Sequence, residues 1–198
     1  MLRNIPNPFC ERNCNMSSLA QIFTTVRDIT TDWYSSMQAN ILGISLGTRI
    51  MGMAILYNGE LTDFRVRTFY GACTKKKQDY ILGTLQNTIK RYGISAITVK
   101  TPKPAHCSRS IQDLVMAINT LTKQLGIQLT ICTISVLTEP YSGIGRANKQ
   151  ILVEDIIQRY PQHRRLSRLG TKDRSNHSAY YVKLFEAIAC AELAQRTR

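Results

Sequence analysis

Residues 41 to 56 read ILGISLGTRIMGMAIL. Residues 41–46 are an apolar run of β-forming residues, Leu46-Gly47-Thr48-Arg49 supplies a turn, and a second β-rich run is entered through Gly52. A carboxylate at the end of such a strand, just before a glycine turn, is placed to hold a metal ion. Here that position is Ser45, a neutral hydroxyl. The stretch therefore raises the question whether the chain has the frame of a metal-dependent enzyme without its metal ligands.

Outward from this stretch the chain alternates regularly. Strands are predicted over 41–46, 50–57 and 61–70, with Asn58-Gly59 as a hairpin turn between the last two. A helix follows over 75–92, with Ile81, Leu82, Leu85 and Ile89 on one face and Gly93 as its stop. A strand over 95–100 ends at TPKP. Ser108 or Ser110 caps a helix to Leu125, closed by Gly126. Residues 127–136 alternate as a strand, a loop with Pro140, Gly143 and Gly145 leads to a helix over 147–160, and a basic connection over 163–174 precedes a last helix over 178–195. The order βββαβαβαα, with right-handed crossovers, gives an α/β fold: a five-stranded mixed sheet in order 3-2-1-4-5 with helices on both faces.

The amino-terminal region differs in composition. Residues 1–15 hold Pro6, Pro8 and four asparagines and are expected to be irregular, whereas Leu19, Ile22, Phe23, Val26, Ile29, Trp33 and Met37 recur at helical spacing. Residues 1–36 are accordingly assigned to an extension, disordered and then one amphipathic helix, and residues 37–198 to the globular domain. Of 26 Lys plus Arg and 13 Asp plus Glu, the extension holds three of each sign, so the whole net charge of +13 falls on residues 37–198. A domain that basic attracts polyanions, and nucleic acid is the partner it predicts. The six cysteines (10, 14, 73, 107, 132 and 190) do not form a secreted framework, Cys10 and Cys14 have no second pair at zinc-finger spacing, and Cys132 and Cys190 sit in apolar runs as core fillers. No apolar h-region precedes them and no run reaches the ~20 residues of a membrane span, so the expectation is a cytoplasmic protein with free thiols and no membrane partner.

The head of the domain resembles the ribonuclease H-like superfamily, in particular the RuvC-type Holliday-junction resolvases and their YqgF-type relatives, whose first strand runs roughly lGiDpGtrrtGyAvl. Gly43, Gly47, Thr48, Arg49, Gly52 and Ala54 stand at matching places, and the likeness extends over about residues 40 to 195. The same head is similar to the first phosphate loop of the actin and heat-shock ATPases. Those need two lobes, and this chain carries one copy of the motif. The resolvase resemblance implies a two-metal nuclease site whose carboxylates end strand one, end strand four and open the last helix. Carried onto this chain, the first falls on Ser45 and the second on Lys100. The final pair falls either within NHSAYY (176–181), around His177, or on KLFEA, where Glu186 and Ala187 match its second half. Glu60, Asp63, Asp79, Asp113, Glu139, Glu154 and Asp155 lie on other elements and do not replace the missing acids.

Of the positions left by the acids, Ser45 is neutral and Lys100 is basic. Lys100, Lys103, His106, Ser108 and Arg109 gather with Ser45 near the C-terminal ends of the central strands, where open α/β sheets place their ligands. Arg49, Lys75, Lys76 and Lys77, and Arg164, Arg165 and Arg168 in the basic connection, complete the candidate phosphate-binding set. Tyr180-Tyr181 could stack on exposed bases, although paired aromatics at a helix entry are more often half core. The expectation is a catalytically degenerate domain that binds DNA, RNA or a nucleoprotein, with no cofactor and no bound metal. The resemblance implies a homodimer. The alternatives are an active nuclease with an atypical carboxylate set, which would require Mg²⁺, and a scaffold that binds an acidic protein.

Overall fold

The computed structural model describes residues 39–140, 149–164 and 177–197. The amphipathic helix expected before residue 38, the loop over 141–148, and Arg165 and Arg168 lie outside the described residues.

Five strands form one sheet in the order β3-β2-β1-β4-β5. β1 (Asn40–Ser45), β2 (Ile50–Tyr57) and β3 (Glu60–Thr68) are antiparallel neighbours, while β4 (Ala96–Lys100) and β5 (Gln128–Cys132) join β1 in parallel. Asn58 and Gly59 both take positive φ, 50° and 85°, as the Asn-Gly hairpin requires. The register turns Leu42 and Ile44 of β1 with Ile97 and Val99 of β4 toward one face. There they pack with Met51, Met53 and Ile55 of β2 against two helices. These are α1 (Lys75–Tyr92), which buries Ile81, Leu85 and Ile89, and α2 (Arg109–Gln124), which buries Ile111, Leu114 and Ile118. α1 ends on Gly93 in the left-handed conformation, whose N–H closes the last turn on the Ile89 carbonyl.

β5 is shorter than its alternating sequence implies. Its last pair is Cys132 with Lys100, where β4 ends. With no ladder partner beyond that point, the backbone satisfies itself locally, and Ile134–Thr138 forms a short helix, α3. α4 follows at Lys149–Arg159, and α5 at His177–Arg196.

α5 occupies the other face of the sheet and is buried continuously from Leu184 to Glu192. Glycine makes this possible. A Cβ on Gly43 would lie 2.0 Å from the Ala187 carbonyl oxygen and 2.5 Å from the Ala191 nitrogen, and one on Gly52 would lie 2.0 Å from the Lys183 carbonyl oxygen. The helix backbone thus rests directly on β1 and β2. Its outer side is covered by Leu152 and Ile156 of α4, and Arg159 of α4 pairs with Glu192.

This contact makes two glycine substitutions diverge. Gly43→Ala should cost about 3 kcal/mol or prevent folding, because overpacking against a helix backbone has no side chain to displace. Gly83→Ala, inside α1 with nothing within 4 Å of the added carbon, should stabilise by roughly 0.5–1 kcal/mol. Urea unfolding of both variants measures the contrast, and a mild Gly43→Ala would mean that α5 does not seat on β1 as described.

Candidate functional site

β1 and β4 are parallel neighbours with Ser45 opposite Lys100 in the register, and both side chains point to the α5 face. Because Gly43 lets α5 approach at Ala187, the preceding residue, Glu186, reaches the ends of both strands. The Ser45 hydroxyl donates to Glu186 Oε2 at 2.6 Å, and Lys100 Nζ donates to the same oxygen at 2.9 Å. All three residues are buried. Lys149, at the start of α4, brings its Nζ to 3.0 Å from Glu186 Oε1 as an ion pair without hydrogen-bond alignment. Lys183, one turn before Glu186, donates to the Leu46 carbonyl at 2.9 Å and stands 3.9 Å from Oε2.

Three ammonium groups therefore face one carboxylate, a local excess of positive charge. Burial alone would push the Glu186 carboxyl up. Lys100, the Ser45 hydroxyl, Lys149 and Lys183 outweigh it and hold the group below its ordinary range. The cost falls on Lys183, whose ammonium is pushed down to about 8 by burial and then by Lys100. Beside this cluster the Cys132 and Cys190 sulfurs lie 3.9 Å apart, both buried and both free thiols. Their hydrogen bond lowers the Cys132 thiol, and burial raises that of Cys190.

The remaining sequence candidates scatter around this center. Lys103, Arg109 and Arg49 are exposed, Arg109 pairing with Asp113. Lys75 pairs with Asp79, and Lys77 turns inward to donate to the Phe69 and Gly71 carbonyls at 3.1 and 2.8 Å. Lys76 and Arg164 are exposed. His177 opens α5, its side chain lying outside the described residues, and Glu186 joins Ser45 and Lys100. Lys100 differs from a solvent-facing strand end: its side chain is 7% exposed, and its ammonium is committed to Glu186. Lys149 and Lys183 were not anticipated. The helical spacing of Lys183 and Glu186 puts them on one face, a signal that could mark Lys183, while nothing local marks Lys149.

The sheet order and the helix layers define a ribonuclease H-like fold of the RuvC kind. No family model matches the chain, and no curated protein matches it. Among solved structures, RuvC of Thermus thermophilus in complex with Holliday junction substrate has a TM-score of 0.55 at 14% identity, covering 81% of this chain and 95% of that one. Thermus thermophilus RuvC determined separately has the same TM-score of 0.55, with 16% identity over 80% of this chain and 95% of that one. No described helix is long and apolar enough to cross a membrane.

A metal pair is the group this fold implies, and the donor set does not fit it. Two divalent ions need several anionic oxygens, whereas Ser45, Lys100 and Glu186 supply one carboxylate already held by a hydroxyl and an ammonium. Among the described residues no group of three or more His, Cys, Asp or Glu is gathered elsewhere.

Two outcomes follow from the cluster. Glu186→Gln leaves buried ammonium groups without their counter-charge and should cost about 3–5 kcal/mol, with much of the loss recovered in the double variant Lys100→Met, Glu186→Leu. Denaturant unfolding at neutral pH reads both, and a Glu186→Gln variant as stable as wild type would show that the pair does not form. Lys183 titrates near 8 when folded against its ordinary 10.5, so between these values the unfolded chain holds the extra proton. Stability from this group therefore rises with pH across that window. Lys183→Met should remove that part of the rise in denaturation midpoints measured from pH 7.5 to 9.5; an unchanged rise would contradict it.

Proposed function

We propose that this chain is a catalytically degenerate RuvC-like domain that binds nucleic acid and does not cut it. The observation that carries this is the Lys100 ammonium, 2.9 Å from Glu186 at the end of β4, where the resemblance calls for a metal-binding carboxylate. A fixed cation at that point repels a divalent ion by several kcal/mol even at an effective dielectric of about 20. Its charge also adds to a local positive excess that favours an anion. Lys149, half exposed, and Lys183 stand at the rim of the cluster, and Lys103, Arg109 and Arg49 are exposed. These groups suit phosphates of any sequence. The net charge of +13 supports a polyanionic partner, and so does the nucleic acid held by the Thermus thermophilus protein that shares the fold.

Titration with labelled single-stranded, duplex and four-way DNA and with RNA tests the binding. If about six cations meet phosphates, affinity should fall by roughly three decades between 50 and 200 mM salt. Binding to none of these at 50 mM salt would favour an acidic protein as the partner. Incubation with Mg²⁺ or Mn²⁺ should give no cleavage. Restoring acids through Ser45→Asp with Lys100→Glu should strengthen Mn²⁺ binding by roughly tenfold or more, since three carboxylates then converge. Cleavage by purified wild-type protein that disappears in Glu186→Gln would make the chain an active nuclease with an atypical carboxylate set.

A further inference from the structure

The turn after β1, the segment after β3 and the first turns of α5 enclose an open cavity of about 720 Å³. Its walls include Phe69, Tyr70, Tyr180 and Tyr181, with Thr68 and Arg49 beside them. We infer that this cavity receives a single unpaired nucleobase of a bound strand, with the adjoining phosphate toward Arg49. The inference rests on the nucleic-acid reading above and specifies the form of ligand that reading leaves open.

Four features converge on this occupant. Aromatic faces stack on any base, and stacking needs a base whose own faces are free, which a duplex does not offer. Tyr70 is 89% exposed, so the cavity presents an uncovered aromatic ring to solvent. Among the described residues, those that line the cavity include one cation and no carboxylate, and the first turn of α1, which follows the 69–71 segment, carries Lys75, Lys76 and Lys77 with no acidic residue. That charge complements a phosphate chain.

The walls are also held in place before any ligand arrives. Phe69 donates its N–H to the Arg49 carbonyl at 2.8 Å, and Lys77 fixes the Phe69 and Gly71 carbonyls. The Phe69 ring meets Tyr80 edge-on at 6.0 Å. Tyr180 meets Tyr181 edge-on at 5.4 Å and donates its hydroxyl to the Val66 carbonyl at 3.4 Å. Ordered walls reduce the entropy lost on binding. Tyr180 and Tyr181 precede Lys183 by less than one turn and Glu186 by about one and a half turns of the same helix. A strand leaving the cavity along α5 therefore passes from stacking surface to the lysine cluster.

The test uses the full chain and an oligonucleotide of about twelve residues carrying one 2-aminopurine, as single-stranded DNA, as single-stranded RNA and as blunt duplex DNA. Wild-type protein should bind both single strands and quench the probe. Tyr70→Ala should weaken single-strand binding roughly five- to fifty-fold, reduce the quenching, and leave the salt slope and duplex affinity within about twofold, because the lost contact is uncharged. Arg49→Gln should instead lower the salt slope by about one. Tyr57→Ala, half exposed at the opposite end of β2, should change nothing. Wild-type binding that Tyr70→Ala leaves within twofold on single strands, or weakens equally on duplex, overturns the base pocket while the nucleic-acid reading stands. Absence of wild-type binding to all three probes overturns both.

Discussion

A carboxylate buried between two strand ends and a helix is the constraint on which this structure turns. Glu186 is 1% exposed and charged, and an isolated carboxylate there would cost several kcal/mol in desolvation. The cost is met by Ser45 and Lys100, which only the parallel register of β1 and β4 brings side by side. Helix, register and ion pair are therefore one unit. Shifting β1 by one residue would turn Ser45 to the opposite face and take its hydrogen bond from Glu186.

The glycines gain a physical meaning from the same unit. In the sequence Gly43 and Gly52 read only as matching positions of the resolvase-like head, and neither takes a positive φ. Both are sites of contact with the carbonyl oxygens of α5. Small residues on the helix, Ala187 and Ala191, answer those on the sheet. The close approach sets the depth at which Glu186 enters. Two strand ends and a helix thus converge at one point, and of the side chains they bring to Glu186, Ser45 is neutral and Lys100 positive.

Much of this was legible beforehand, for reasons that can be named. Alternating apolar residues in β1 and β4, helical periodicity with the Gly93 stop in α1, and the Asn58-Gly59 turn are local signals, and each appears where the sequence placed it. The end of β5 was not legible, because residues 133–136 keep a strand-like pattern and only the termination of neighbouring β4 removes their partner. Lys100 as an internal counter-ion was also hidden. A lysine at a strand end reads equally well as solvent-facing until the element opposite it is known. Between the two alignments of the last acidic pair, proximity to Ser45 and Lys100 favours Glu186, a long-range fact that no window of sequence contains.

The excess of lysines around Glu186 gives the site a direction. If Glu186 were paired with Lys100 alone, the cluster would be neutral and closed, a structural ion pair of a common kind. Lys149 and Lys183 make it otherwise: one is half exposed, and the other is held partly buried at the cost of a lowered proton affinity. Holding an ammonium in a place that disfavours its charge is unprofitable for folding alone. On the function proposed above, an incoming phosphate would relieve that repulsion by supplying the second anion, so the arrangement that costs stability in the free protein would stabilise the bound one.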